Sequence, residues 1–183
     1  ASEMPAIRGA FDSLFDVIKT EETDQGVKMY QAAAAVARGH APARREARTF
    51  AEAKATVKEF QGQTLVNRDS GIEAVVSRNA LDKMLSSKAV NASETPATHS
   101  LAVANVDALF ENAVHGWVKP DRDAEPSIVG IHRFFARMDK PDGKASMVKL
   151  TVKETISDQK PNPLYTIEAV EFLEDGTSAA TWV

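Results

Sequence analysis

Residues 143–154, GKASMVKLTVKE, decide how the chain is read. Val148, Leu150 and Val152 alternate with Lys149, Thr151 and Lys153, and a period of two marks a strand with one buried face. The other face carries two lysines around a threonine. It is either a solvated sheet face or a row of cations suited to a phosphate. Reading outward, SIVGIHRFFARM (127–138) is another strand, joined to the first by DKPDGK, where Pro141 and Gly143 mark a turn. After the loop SDQKPNP, LYTIEAVEFLE (164–174) is a third. Short connections favour an antiparallel three-stranded meander.

Ahead of the meander, QTLVNRDSGIEAVVS (63–77) reads as a β-hairpin with its turn at Asn67–Gly71. Ser77 is placed to cap the helix RNALDKMLSS, where Leu81, Met84 and Leu85 share a face. HSLAVANVDALFENAVHG (99–116) is too apolar for a loop and reads as two short helices, broken near Asn105 and ending at Gly116. Residues 1–61 read as helical. Ile7, Phe11, Leu14, Phe15 and Ile18 form one stripe. A second helix starts after Thr23 or Asp24 and stops at Gly39. A third starts near Pro42, with Ala43, Ala47, Phe50, Ala53, Val57 and Phe60 on its apolar side. Its RREAR cluster reads as a solvated helix face, with an RNA-contacting patch as the alternative. The expectation is an α+β chain, N-terminal helices followed by a small antiparallel sheet. It divides into a helical extension (1–61), an α+β domain (62–174) and a tail (175–183).

The totals narrow the function. The 183 residues contain no cysteine, which excludes disulfides, thiolate metal sites and a cysteine nucleophile. No apolar run approaches the roughly 20 residues of a membrane span, and the first helix lacks the pattern of a secretory signal. The net charge is −4, against a strong nonspecific nucleic-acid binder. Residues 1–62 carry equal numbers of basic and acidic side chains, so the acidic excess lies in the second part. Any nucleic acid needs a local basic patch there.

There is no glycine-rich phosphate loop, HExxH or GxSxG. His40, His99, His115 and His132 lack metal-ligand spacing, so no metal is expected. Adjacent on a strand, His132 and Arg133 point to opposite faces, and one of them meets a core or a cleft. Each is either a phosphate clamp or proton-transfer group, or an amphipathic residue at a sheet edge. Thr151 can hydrogen-bond a phosphate oxygen between Lys149 and Lys153. His99, at a helix start, is held neutral by the helix dipole and suits a general base; the plain alternative is an exposed first-turn residue. His115 reads as a helix C-terminal residue, where imidazolium is favoured. Asp121, Asp123 and Glu125 form an acidic loop without the glycine and distal glutamate of an EF-hand, and read as solvated.

The run from VNRDSGIEAVVSRNALDKMLSSKAV through HSLAVANVDALFENAV to IHRFFARMDKPDGKASMVKLTVKE and LYTIEAVEF resembles the large-polyvalent-protein-associated domains of phages and conjugative elements. These are grouped with the barnase–EndoU–colicin–RelE (BECR) nuclease fold. The resemblance implies a metal-independent ribonuclease-like effector with no cofactor, in which a 2′-hydroxyl attacks its phosphate and a cyclic phosphate forms. In this chain Arg133, His132, Lys149 and Lys153 would bind phosphate, His99 or His115 would move protons, and Thr151 would orient the scissile group. The implied partners are RNA, with tRNA a candidate, and a cognate inhibitor or host protein. The implied location is the bacterial cytoplasm after delivery with phage or plasmid DNA. The rival expectation is a catalytically inactive interaction module, anchored by Phe11, Phe15, Phe50 and Phe60. The two differ in whether the cationic row and an imidazole converge in one groove.

Overall fold

The computed structural model describes residues 40–41, 44–86, 95–141, 143 and 145–173. Within them the chain runs β1 (His40–Ala41), α1 (Phe50–Val57), β2 (Leu65–Val66), β3 (Glu73–Val75), α2 (Arg78–Met84), α3 (Pro96–Ala104), α4 (Val106–Asn112), β4 (Val114–Lys119), β5 (Ile128–Asp139), β6 (Ala145–Ser157) and β7 (Lys160–Leu173). The helices expected at 7–18 and 24–39 and the tail at 175–183 lie outside the described residues.

The meander forms as its alternation predicts. β5 pairs antiparallel with β6 from Ile128↔Thr155 to Asp139↔Ala145, and β6 with β7 from Ser157↔Lys160 to Met147↔Leu173. Asp158 and Gln159 alone make the second turn, so the loop expected at 157–163 is mostly strand. Pro161 and Pro163 are tolerated because β3 reaches β7 only at Tyr165 and Thr166, leaving their missing N–H groups on an open edge.

The sheet is larger than expected and mixed, not purely antiparallel. Among the described residues it has seven strands. β4 and β1 line one side of β5, and beyond β6 and β7 come β3 and β2. β3 runs parallel to β7, and β1 parallel to β5. β2 and β3 pair antiparallel as the hairpin expected at 63–77, but nothing in strands of two or three residues encodes the parallel seats of β3 on β7 and of β1 on β5.

Two helix boundaries are corrected. The helix expected to start near Pro42 begins after Thr49, whose hydroxyl and the Glu52 carboxylate form a reciprocal capping box. Arg44 and Arg45 are kept out of it by Asn105: its Oδ1 accepts both their N–H groups at 2.9 Å, and its Nδ2 donates to the Arg45 carbonyl at 2.9 Å. Arg45 therefore leaves the solvated row. It reaches Asp107 at 2.8 Å and lies 4.8 Å above the Phe60 ring. Secondly, the helix after Asn105 stops at Asn112, and Val114–Lys119 is a strand. Gly116 is a packing residue there, not a helix stop, since a Cβ would come within 2.7 Å of the Phe135 ring.

One face of the meander carries Phe134, Met138, Val148, Leu150, Val152, Ile167, Val170 and Phe172 into the core. Leu81 and Met84 of α2 and Leu109 and Phe110 of α4 pack against it. Burying each such side chain contributes about 1.5–3 kcal/mol. Ala53, Val57 and Phe60 belong to the same core, although they precede the domain start expected at residue 62. Ser77 caps α2 as expected, accepting the Ala80 N–H at 3.1 Å.

Candidate acid–base site

Alternation along β5 sends His132 and Arg133 to opposite faces, and pairing fixes what each meets. Arg133 stands opposite Thr151, Phe135 opposite Lys149 and Ile131 opposite Lys153. Arg133, Lys149, Thr151 and Lys153 thus share the face turned away from the core helices. They are engaged with close neighbours. The Arg133 guanidinium donates to the Thr151 hydroxyl. Lys149, only 4% exposed, lies 2.6 Å from Glu171, and Lys153 lies 3.7 Å from Glu168. Burial lowers the proton affinity of Lys149 and Arg133, and Glu171 opposes it.

His132 points to the core face and is itself buried, 5% exposed. Its Nε2 lies 2.7 Å from the Glu154 carboxylate, and its Nδ1 lies 3.0 Å from Nε2 of His115 on β4. The two rings stack at 5.1 Å and 28°, and His115 also stacks on Phe134 at 4.6 Å. Tyr165 meets His132 edge-on at 5.4 Å, and its hydroxyl hydrogen-bonds Glu154. Four neighbouring strands each supply one member, giving the row His115, His132, Glu154, Tyr165 across the sheet. Gly130 makes the row's flank possible, because a Cβ there would lie 2.7 Å from Val118 on β4. The close approach at that glycine is made by a neighbouring strand.

The two bonds at His132 define a proton pattern. A carboxylate accepts only, so Glu154 takes the His132 Nε2–H. With both rings neutral, His132 Nδ1 is then the acceptor for the His115 Nε2–H, which leaves Nδ1 of His115 with its lone pair. Burial first, then the neighbouring His132, pushes the His115 pKa below its usual value, while Asp69 pulls it back. Burial and Glu154 raise that of Tyr165, which keeps the phenol protonated. The expectation for His115 is therefore corrected in its setting: it is a strand residue stacked beside another imidazole, not the last residue of a helix.

His99 is in neither group. It is fully buried on α3, with Nε2 2.5 Å from the Met84 carbonyl and its ring edge-on to Phe172. Its imidazole is depressed, as expected, but burial is the leading cause. The exposed first-turn alternative does not hold. The single groove with cations and an imidazole does not form, because one strand separates them onto its two sides; by that criterion the interaction-module expectation gains, and nuclease chemistry has only the imidazole–carboxylate row to rest on.

Three members of the site had not been singled out. Glu154 continues the core-facing series Val148, Leu150, Val152, and a carboxylate in phase with apolar neighbours was the legible signal. Tyr165 shares its face with Ile167 and Val170. Asp69, in the β2–β3 turn, had no signal, since acidic turn residues are ordinary.

Among the described residues no group of three histidines or carboxylates could hold a metal ion. In the acidic loop, Asp121 accepts the Glu125 N–H and Glu125 accepts from Ser127. No helix among the described residues is long and apolar enough to cross a membrane.

An α+β domain with a helix-backed meander and an imidazole–carboxylate row is the class the geometry defines. The chain belongs to the family of large polyvalent protein-associated domain 3, whose family model matches residues 43–165. That match takes in α1, in keeping with the shared core. No curated protein and no solved structure matches the chain.

Proposed function

We propose that the domain is a metal-independent, RNA-cleaving acid–base catalyst, borne on a polyvalent protein that enters the bacterial cytoplasm with phage or plasmid DNA. The observation that carries this reading is the relay Glu154–His132–His115, with contacts of 2.7 and 3.0 Å. Nδ1 of His115 takes the proton of an RNA 2′-hydroxyl. The O2′–P bond forms, the P–O5′ bond breaks, and a 2′,3′-cyclic phosphate results. The imidazole pair, its positive charge balanced by Glu154, returns the proton to the departing 5′-oxygen. Such proton transfer contributes about 10²–10⁴-fold in rate. In this reading Lys149, Lys153, Arg133 and Thr151 stabilise the sheet's other side, and the reacting phosphate lies on the imidazole face. RNA, including tRNA, is the substrate class.

The test is incubation of the whole chain with total RNA in EDTA, beside His115→Ala. Cleavage that survives the chelator and falls at least about 100-fold in the variant supports the reading. Intact RNA at high protein concentration overturns it.

A second reading, an interaction module that binds an inhibitor or host protein, is favoured by a different observation. Val118, Val129, Ile156 and Leu164 are 45–51% exposed. All four lie near the β4–β5 and β6–β7 turns, at one end of the sheet. Intact RNA together with a stoichiometric protein complex that Ile156→Asp abolishes would favour it.

A further inference from the structure

The turn Asn67–Gly71 is built more firmly than a solvent-facing hairpin turn requires. Asn67 is fully buried, and its side chain makes four hydrogen bonds. Nδ2 donates to the Phe110 and Ala113 carbonyls at 2.7 Å each, tying the turn to the stretch that leads from α4 into β4. Oδ1 accepts from Ser70 N and Oγ at 2.8 Å each, and Gly71 closes the turn at φ +75°. The Arg68 N–H is held by the Glu111 carbonyl at 3.0 Å. Asp69 stands at the tip of this fixed arm, and its Oδ2 accepts the backbone N–H of His115 at 3.0 Å. Among the described residues β4 pairs with β5 alone, and its register shifts just after His115. The carboxylate thus takes the place of a neighbouring strand at the residue where the ladder is least regular.

We infer that Asp69 is a positioning residue for His115: it holds the strand so that the imidazole stays stacked on His132, and its charge sets how readily that imidazole takes a proton. This role rests on the acid–base reading of the site, but its readout does not need RNA. Asp69 is exposed, and the bonds that shape the turn run through Asn67 and Ser70, so substitution at Asp69 leaves the turn intact. The charged and titratable groups on the elements around His115 are Asp69 and Arg68 on the turn, Glu111 on α4, His132 on β5 and Glu154 behind it on β6. Of these, Asp69 and His132 act on His115 in opposite senses.

Imidazole titrations of the whole chain, followed by NMR, separate the two parts of the role. Asp69→Asn keeps an acceptor oxygen and removes the charge. It should lower the His115 midpoint by about half a pH unit, the scale for a partly exposed charge pair, with the His132 resonances unmoved at high pH, where both rings are neutral. Asp69→Ala removes the acceptor as well, and should also change the His132 resonances as the stack loosens. Three superimposable His115 titration curves would overturn the inference. RNA cleavage is scored separately: if the wild type cuts, the ascending limb of its pH–rate profile should move to lower pH in Asp69→Asn, and a limb that stays put counts against the role. If the wild type leaves RNA intact while the NMR midpoints shift, the ribonuclease reading fails and the positioning of His115 stands.

Discussion

The two faces of β5 and β6 carry charge in opposite ways. On one, Lys149, Lys153 and Arg133 meet Glu171, Glu168 and Thr151 at contact distance. A cation matched in this way is held by the fold and has little left to offer a ligand. On the other, two imidazoles and a carboxylate form a hydrogen-bonded row whose outer nitrogen, Nδ1 of His115, has no hydrogen-bond partner among the described residues. Residues adjacent in sequence, His132 and Arg133, therefore do different work. Charged residues on a strand mark a site only when their partners leave a lone pair or a proton to spare.

The sharpest way to break that contrast is kinetic. His115→Ala and His132→Ala should each cost about 10²–10⁴-fold in RNA cleavage, and the double variant no more than the worse single one, since the pair acts as a unit. Lys153→Ala, on the other face, should stay within about twofold, because its 3.7 Å pair with Glu168 is loose and lies away from the imidazoles. A lysine variant as damaged as the histidine variants would reverse the assignment of faces.

Stability probes come next. Leu150 lies between the two lysines and is fully buried on the core face. Leu150→Ala should lose about 2–5 kcal/mol in urea unfolding. Glu171→Ala leaves the buried Lys149 amine without its carboxylate; because Glu171 is itself 43% exposed on its side chain, the cost should be nearer 1–3 kcal/mol than the full penalty of a buried pair. Lys149→Met, which removes the charge but keeps the volume, should be close to neutral. Equal losses in Glu171→Ala and Lys149→Met would mean that Lys149 reaches something beyond structural pairing.

The smallest effect is on pH. Burial holds the imidazoles of His99 and His115 below their ordinary pKa. Between the folded value and the unfolded value of about 6.5 the unfolded chain binds more protons, so stability rises with pH through that window and is level above it. The urea midpoint should fall as pH drops below about 6.5, and His99→Gln, which still donates to the Met84 carbonyl, should flatten part of the slope. A wild-type midpoint that is flat down to pH 5 would show that neither ring is held neutral by the fold.

Long, regular elements were legible. The alternation in 127–138 and 145–152 foretold β5 and β6, Ser77 announced α2, and Asn105 marked the break between α3 and α4. What was hidden depends on distant partners. The Pro42 start failed because Asn105, some sixty residues on, takes the Arg44 and Arg45 backbone. Gly116 looked like a helix stop because nothing local tells a helix-ending glycine from one pressed against Phe135. At the site, His115 and His132 were visible as residue types, Glu154 could have been found from its phase in the strand, and Asp69 could not.

By itself the sequence determined which residues share a strand face, because that follows from the two-residue period of the backbone. It thereby determined that Arg133 could never lie beside His132 on one surface. Only the tertiary structure decided that β4 is a strand, that its histidine stacks on the one in β5, and that Glu154 and Tyr165 complete the row. The histidine–histidine and histidine–carboxylate contacts join residues 17 and 22 positions apart in sequence, through strand pairings whose register no local pattern encodes.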